Sequence, residues 1–225
     1  MHFFMMIAVI VLSEGSRLES EGDFTAAGRA YYGEGDIAGE VRILCRYVEE
    51  SLYSGNTLHA FDLVSQLENM PLERGCIDFW YARIAWSCGL SEYAIESLSS
   101  LNAGPWLKAR ASGLSAQFRG DAEEAVLLLS GSMDLASSRR QKFYSALDLS
   151  FALVSAGRFE EASEIAALLA DGFPGEGLPL VALALSMHAQ GDYGRAMSVL
   201  QNLYSSAGYS FITRHYARSM MEDME

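Results

Sequence analysis

Along most of this chain apolar side chains return every three or four positions, the spacing that gathers them on one face of an α-helix. Leu147, Phe151 and Val154 stand at i, i+4 and i+7 ahead of Gly157, and Ala162, Ile165, Ala166 and Leu169 mark a second face behind it. Leu180, Leu183, Ala184 and Met187 do the same before Gly191. No stretch shows the strict alternation and tight turn of a β-hairpin. The pattern predicts an all-α chain made of short amphipathic helices.

The breaks between helices follow a rule of their own. A phrase of Gly, a polar or small residue, a few variable positions and then Ala occurs six times. It reads Gly22-Asp23-Phe24-Thr25-Ala26-Ala27, Gly55-Asn56-Thr57-Leu58-His59-Ala60 and Gly89-Leu90-Ser91-Glu92-Tyr93-Ala94 in the first half. Gly120-Asp121-Ala122-Glu123-Glu124-Ala125, Gly157-Arg158-Phe159-Glu160-Glu161-Ala162 and Gly191-Asp192-Tyr193-Gly194-Arg195-Ala196 complete the series. The glycines are 33, 34, 31, 37 and 34 residues apart, and the short interval is followed at once by the long one, so the register survives. A fixed period of this length is the mark of a solenoid. Physically the phrase describes a helix–turn–helix. Glycine supplies the left-handed conformation that ends one helix. Asp23, Asn56, Asp121 or Asp192 is placed to cap the next, and the alanine permits close crossing of the two axes. Pro71, Pro105 and Pro174 fall eleven or twelve residues after the alanine, where they are expected to end second helices.

These residues resemble the tetratricopeptide repeat (TPR), in which a small residue lies midway along the first helix, Gly-Asp-Tyr/Phe forms the turn, Ala follows and Pro closes the unit. Gly157 to Ala162 with Pro174 carries the resemblance best, followed by Gly191-Asp192-Tyr193 with Ala196. Gly15, Ala82, Gly113, Ser150 and Ala184 stand at the small position, whereas the second unit has Val48 there. The family's early Trp is missing, as is the closing Pro from units one, four and six. The resemblance implies a single superhelical domain over 1–225, with repeats at 8–40, 41–74, 75–105, 106–140, 143–176 and 177–208 and a closing helix at 209–221. It also implies a concave face lined by the first helix of each repeat, where partners lie as extended peptides or helices.

Charge narrows the partners. With 29 acidic and 16 basic residues the formal charge is −13, which repels nucleic acid and anionic lipid. Arg139-Arg140-Gln141-Lys142, the densest basic stretch, reads as a solvated loop, too small for a nucleic-acid footprint. Cys45, Cys76 and Cys88 have no CxxC spacing; along one helix Cys76 and Cys88 would be roughly 18 Å apart, beyond disulfide reach. All three are expected as buried thiols.

Catalytic patterns are absent. His2, His59, His188 and His215 fall in different units, and there is no HExxH, GxSxG or SxxK. Gly33-Glu34-Gly35 follows a helix end rather than a strand and reads as an inter-helix loop, not a phosphate cradle. Glu123-Glu124 and Glu160-Glu161 recur at one repeat position, which suits helix-start electrostatics rather than acid–base work. The expectation is a non-enzymatic chain without metal or cofactor.

Transferring the family's register gives a candidate groove: Arg42, Cys45, Arg46 and Glu49 in repeat two, then Phe79, Trp80, Arg83 and Trp86 in repeat three. Arg110, Gln117 and Phe118 follow from repeat four, and Tyr144, Asp148 and Phe151 from repeat five. Arg and Trp dominate interface energetics, and an Arg fork suits carboxylates. Trp80 and Trp86, six residues apart, lie on different helix faces, so one of them is expected to pack between repeats. The Lys/Asn carboxylate clamp of chaperone-binding family members is not matched. The leading function is therefore a protein–protein interaction scaffold, within a larger assembly, holding a peptide or helical segment in this groove. Two alternatives remain. The apolar run Phe3–Leu12 is too short to span a bilayer and lacks a basic flank, yet could serve as signal, anchor or part of a buried first helix. A periplasmic or membrane-associated assembly factor would use it so; otherwise the chain is cytoplasmic. The third possibility is a small-molecule or lipid carrier lined by Tyr144, Leu147, Phe151 and Leu185.

Overall fold

A computed structural model describes residues 13–20 and 23–224, and within them every regular element is a helix. The helices fall into consecutive antiparallel pairs: α1 (Glu14–Ser20) with α2 (Phe24–Glu34), α3 (Ile37–Tyr53) with α4 (Thr57–Leu67), and α5 (Arg74–Ser87) with α6 (Ser91–Ser99). Next come α7 (Pro105–Arg119) with α8 (Ala122–Leu135), α9 (Arg139–Ser155) with α10 (Phe159–Gly172), and α11 (Leu178–Ala189) with α12 (Tyr193–Ser205). The closing helix α13 (Phe211–Met224) follows. Packing is chiefly between sequence neighbours, as in a stacked solenoid. The segment 3–12 and Gly22 lie outside the described residues, and no helix among those described is long and apolar enough to cross a membrane.

The turn phrase folds the same way five times. Gly55, Gly89, Gly120, Gly157 and Gly191 all have φ between 71° and 85°, a region costly for any residue with a β-carbon. In each turn the next residue's N–H reaches back over the glycine to a carbonyl near the end of the preceding helix. The bonds are Asn56 to Ser51, Leu90 to Ala85, Asp121 to Ala116, Arg158 to Leu153 and Asp192 to Met187, at 2.8–3.0 Å. This pairing satisfies carbonyls that the helix end would otherwise strand. The alanines Ala60, Ala94, Ala125, Ala162 and Ala196 are each 0% exposed, so none could enlarge without parting the pair.

Capping is less uniform than the sequence suggests. Asp23 accepts from the Ala26 N–H at 3.0 Å and Asp192 from that of Arg195 at 3.3 Å. Asn56 and Asp121 make no side-chain cap; Asp121 is taken instead by Arg119 at 3.0 Å. Pro105 does not end α6, which stops at Ser99, but opens α7, where its missing N–H costs nothing. Gly35 is the left-handed C-cap of α2. Arg139 and Arg140 form the first turn of α9 rather than a free loop, because they are drawn to the end of α10 and the segment after it: Arg139 donates to the Gly172 carbonyl and Arg140 to Glu176. Cys45 and Cys76 are partly buried, whereas Cys88, just past the end of α5, is exposed.

Small residues set the closest approaches. A β-carbon on Gly15 or on Gly39 would stand 2.4 Å from the Tyr31 ring, which is 0% exposed between the two glycines. One on Gly113 would lie 2.5 Å from Leu129. The superhelix also winds back on itself: α13 reaches α3, and side chains of α3 meet α9 and the α10–α11 connection.

Candidate functional site

The first helices of repeats two to five point their inner faces at one another, and a neutral ionic core fills the space between them. Its centre is Glu49 on α3, 1% exposed. Arg110 on α7 donates from Nη1 and Nη2 to the two carboxylate oxygens at 2.9 and 3.0 Å. Trp80 on α5 adds its indole N–H at 3.0 Å, and Arg83 adds a further ionic bond. Arg110 turns its remaining edge, Nε, to Asp148 on α9, which also accepts the Tyr53 hydroxyl. Phe79 and Tyr144 lie under the Arg110 guanidinium at 4.9 and 5.1 Å from its central carbon. Burial drives the Glu49 carboxyl upward, but the charges of Arg110 and Arg83 outweigh it and hold the group down to about 2. Two guanidiniums balance two carboxylates, so the cluster carries no net charge.

Against one end of this core opens a cavity of about 260 Å³, lined in part by Arg83, Trp86, Gln117, Phe118, Phe151 and Leu185. Trp86 and Phe118 stack in parallel, with centroids 4.0 Å apart and planes within 2°. Phe151 stacks on Tyr53 at 5.3 Å. Arg83 and Asp148 lie at the floor, and Tyr216 of α13 completes the rim. At the opposite end a smaller, almost wholly apolar cavity of about 190 Å³ is walled by Cys45, Cys76, Trp80, Trp106, Leu107 and Tyr144.

The sequence-derived residues therefore divide into four sets. Trp80, Arg83 and Arg110 converge on Glu49, with Phe79 under the Arg110 guanidinium and Trp80 6% exposed and packed between helices. Trp86, Gln117, Phe118 and Phe151 line the larger cavity, which Arg83 shares. Tyr144 belongs to the smaller one. Arg42 and Arg46 stand apart: Arg42 bonds Glu19 and Tyr31 at 3.3 and 3.1 Å, and Arg46 joins a second buried cluster. In that cluster Arg46 pairs with Glu50 at 2.8 Å and Glu176 at 3.0 Å, and Glu176 also takes Arg140. Burial lifts the Glu50 carboxyl above its ordinary value, against the pull of Arg46; for Glu176, burial is outweighed by Arg46 and Arg140 and the shift is downward.

Tyr53, Leu185 and Tyr216 also line the larger cavity and were not among the candidates for the groove between repeats two and five. Tyr53 carried a usable signal, since it lies one helical turn beyond Glu49 on the same face. Tyr216 carried none: it arrives only because the closing helix folds back. Among the described residues no group of three or more His, Cys, Asp or Glu side chains is placed to hold a metal.

No protein-family model matches the chain, and no curated protein does either. Among solved structures it is similar to a Podosopora anserina kinesin light chain with nearly identical TPR-like repeats, at 19% identity and a TM-score of 0.44, over 85% of this chain and 95% of that one. A point variant of that protein gives 18% identity, a TM-score of 0.45 and the same coverage. MamA (AMB-1) is similar at 19% identity and a TM-score of 0.39, over 73% of this chain and 91% of that one. With its helix pairs in sequence order, its repeated left-handed glycine turns and its fully buried turn alanines, the chain is a tetratricopeptide-like α-solenoid.

Proposed function

We propose that this solenoid is a non-catalytic scaffold that holds a peptide or helical segment of a protein partner, anchored in the cavity bounded by Trp86, Gln117, Phe118 and Phe151. The observation that carries this reading is the pairing of a stacked aromatic wall with a polar floor: apolar side chains gain burial against Trp86 and Phe118. Arg83 spends one nitrogen on Glu49 and stays at the cavity floor, where its edge suits a backbone carbonyl. The channel beyond is already filled by Glu49, Arg110 and Asp148, and a cavity of about 260 Å³ admits one or two side chains rather than a whole helix. The partner therefore lies across the mouth and inserts an anchor.

The test is capture of partners by the native chain and by a Phe118→Ala/Phe151→Ala form with unchanged circular dichroism. A partner retained by the first and lost by the second supports the reading; equal retention sinks it. Arg83 and Arg110 are unsuited to this experiment, since their loss would unbalance the buried core.

A second reading rests on the smaller cavity. Its nearly unbroken apolar lining from Cys45 to Tyr144 suits a small apolar ligand. Native mass spectrometry of the purified chain decides it: a co-purifying ligand lost on Trp106→Ala favours the carrier, and a bare mass removes it.

A further inference from the structure

Where α13 closes on α3, a third cavity of about 320 Å³ lies between Thr25, Arg46, Tyr47, Gly208, Ser210 and Arg214. Arg46 is 3% exposed and already committed on two of its nitrogens. Nε donates to Glu176 at 3.0 Å, and Nη2 serves Glu50 at 2.8 Å and the Gly175 carbonyl at 3.3 Å. Its third nitrogen, Nη1, is buried with no hydrogen-bond partner. So is Nε of Arg214, which lines the same cavity from α13. Guanidinium nitrogens only donate, so neither orphan can satisfy the other. Both Glu50 oxygens are also buried without a hydrogen bond, although Nη2 stands 2.8 Å from one of them. A buried donor left unmade is costly, and the two donors at this cavity suit an acceptor with more than one oxygen.

Two further features favour an anion there. Phe24 covers the face of the Arg46 guanidinium, 3.2 Å from its central carbon to the ring centroid, so its free hydrogens are directed along its edge. The N-terminus of α13 borders the cavity: Ser210 accepts the Thr213 N–H at 3.1 Å, while the amides of Phe211 and Ile212 precede the first intrahelical bonds. Asp23 at the rim, Glu50 and Glu176 together match the charge of Arg46, Arg140 and Arg214, so an anion there is held by hydrogen bonds and not by surplus charge.

We propose that this seam binds a small oxoanion, a phosphate or carboxylate group, held between Arg46 Nη1 and Arg214 at the head of α13. The site is separate from the Trp86–Phe118 cavity, and its test does not depend on any protein partner. Inorganic phosphate and acetate are the probes, titrated at millimolar concentration against chloride of matched ionic strength, with binding read by calorimetry and thermal denaturation. Arg46 is woven into a buried ion cluster, so Arg214→Gln and Arg214→Lys are the variants. Wild type should bind phosphate, acetate or both and melt higher in their presence, the preferred probe naming the oxoanion as tetrahedral or planar. Arg214→Gln should lose about tenfold in affinity or more, the worth of a charge-assisted hydrogen bond, with Arg214→Lys in between. Absence of binding by wild type overturns the site, as does equal binding by a folded Arg214→Gln chain.

Discussion

Arg110 grips both oxygens of Glu49 across 61 positions of sequence, and its third edge holds Asp148 on yet another repeat. One guanidinium thus ties α3, α7 and α9 together, linking repeats that are not neighbours in sequence. Such a cross-brace gives a solenoid tertiary coupling that nearest-neighbour stacking lacks.

From this follows an asymmetry between single and paired substitutions. Arg110→Met leaves Glu49 and Asp148 buried with too little positive charge, and should cost about 3–5 kcal/mol in chemical denaturation. Glu49→Gln combined with Arg110→Met removes one charge of each sign along with the bonds, leaving Arg83 to balance Asp148. That double variant should therefore lose much less than the sum of its singles. Additive losses would show that the ions act independently.

The solenoid was legible in the sequence because glycine turns and buried alanines are local requirements, repeated with one period. Gly157 to Ala162 needs nothing beyond its own helix pair to be recognised. The fate of the arginines was not legible in that way. Arg83 and Arg110 were placed on the inner face by register, and that much depends on helix geometry alone. What each would meet there depends on how tightly successive repeats wind, a property of every interface in the stack. Because the winding is tight, Glu49 and Asp148 arrive within hydrogen-bond reach and the arginines face inward partners rather than open solvent. The Arg46–Glu176 pair is further out of reach still, since 130 residues separate its members and only the superhelix brings them together.

Acid stability should pass through a maximum. Glu49 is held at about 2 and Glu176 also below the ordinary 4.5, so both stabilise the fold above 4.5 and lose that contribution as pH falls from there toward 2. Glu50 is raised, so its native form takes up a proton before the unfolded chain does, and stability gains as pH falls toward 4.5. Thermal denaturation followed from neutral pH downward should first rise and then collapse below about 4.5. Glu50→Gln should flatten the rise and spare the collapse. A curve unchanged by that substitution would refute the assignment to Glu50.

Glycines inside helices should separate by what surrounds them. Gly113 on α7 faces Leu129 at a distance no real β-carbon tolerates, with the Leu129 backbone nitrogen only 3.2 Å away. Gly113→Ala should destabilise the chain by about 1–3 kcal/mol through forced separation of α7 and α8. Gly131 on α8 meets nothing within 4 Å and has ordinary helical conformation, so Gly131→Ala should add about 0.5–1 kcal/mol. Equal effects at the two positions, measured by urea denaturation, would contradict the packing described for the fourth repeat.

Thiol chemistry offers the sharpest check on the stacking of repeats two and three. Burial pushes Cys45 up to about 12 and Cys76 up to about 11, so neither forms the reactive thiolate near neutral pH. Cys88 sits exposed beyond the end of α5. A maleimide reagent at neutral pH should therefore label Cys88 rapidly, and mass spectrometry of the native chain should show a single adduct, rising to three after denaturation. Labelling should also report on the smaller cavity, because Cys45 and Cys76 both line it. A variant that opens that wall, Trp106→Ala, should speed their modification while leaving Cys88 unchanged. Fast labelling of all three in the folded wild type would mean that α3 and α5 part far more readily than their packing around Phe79 and Trp80 allows.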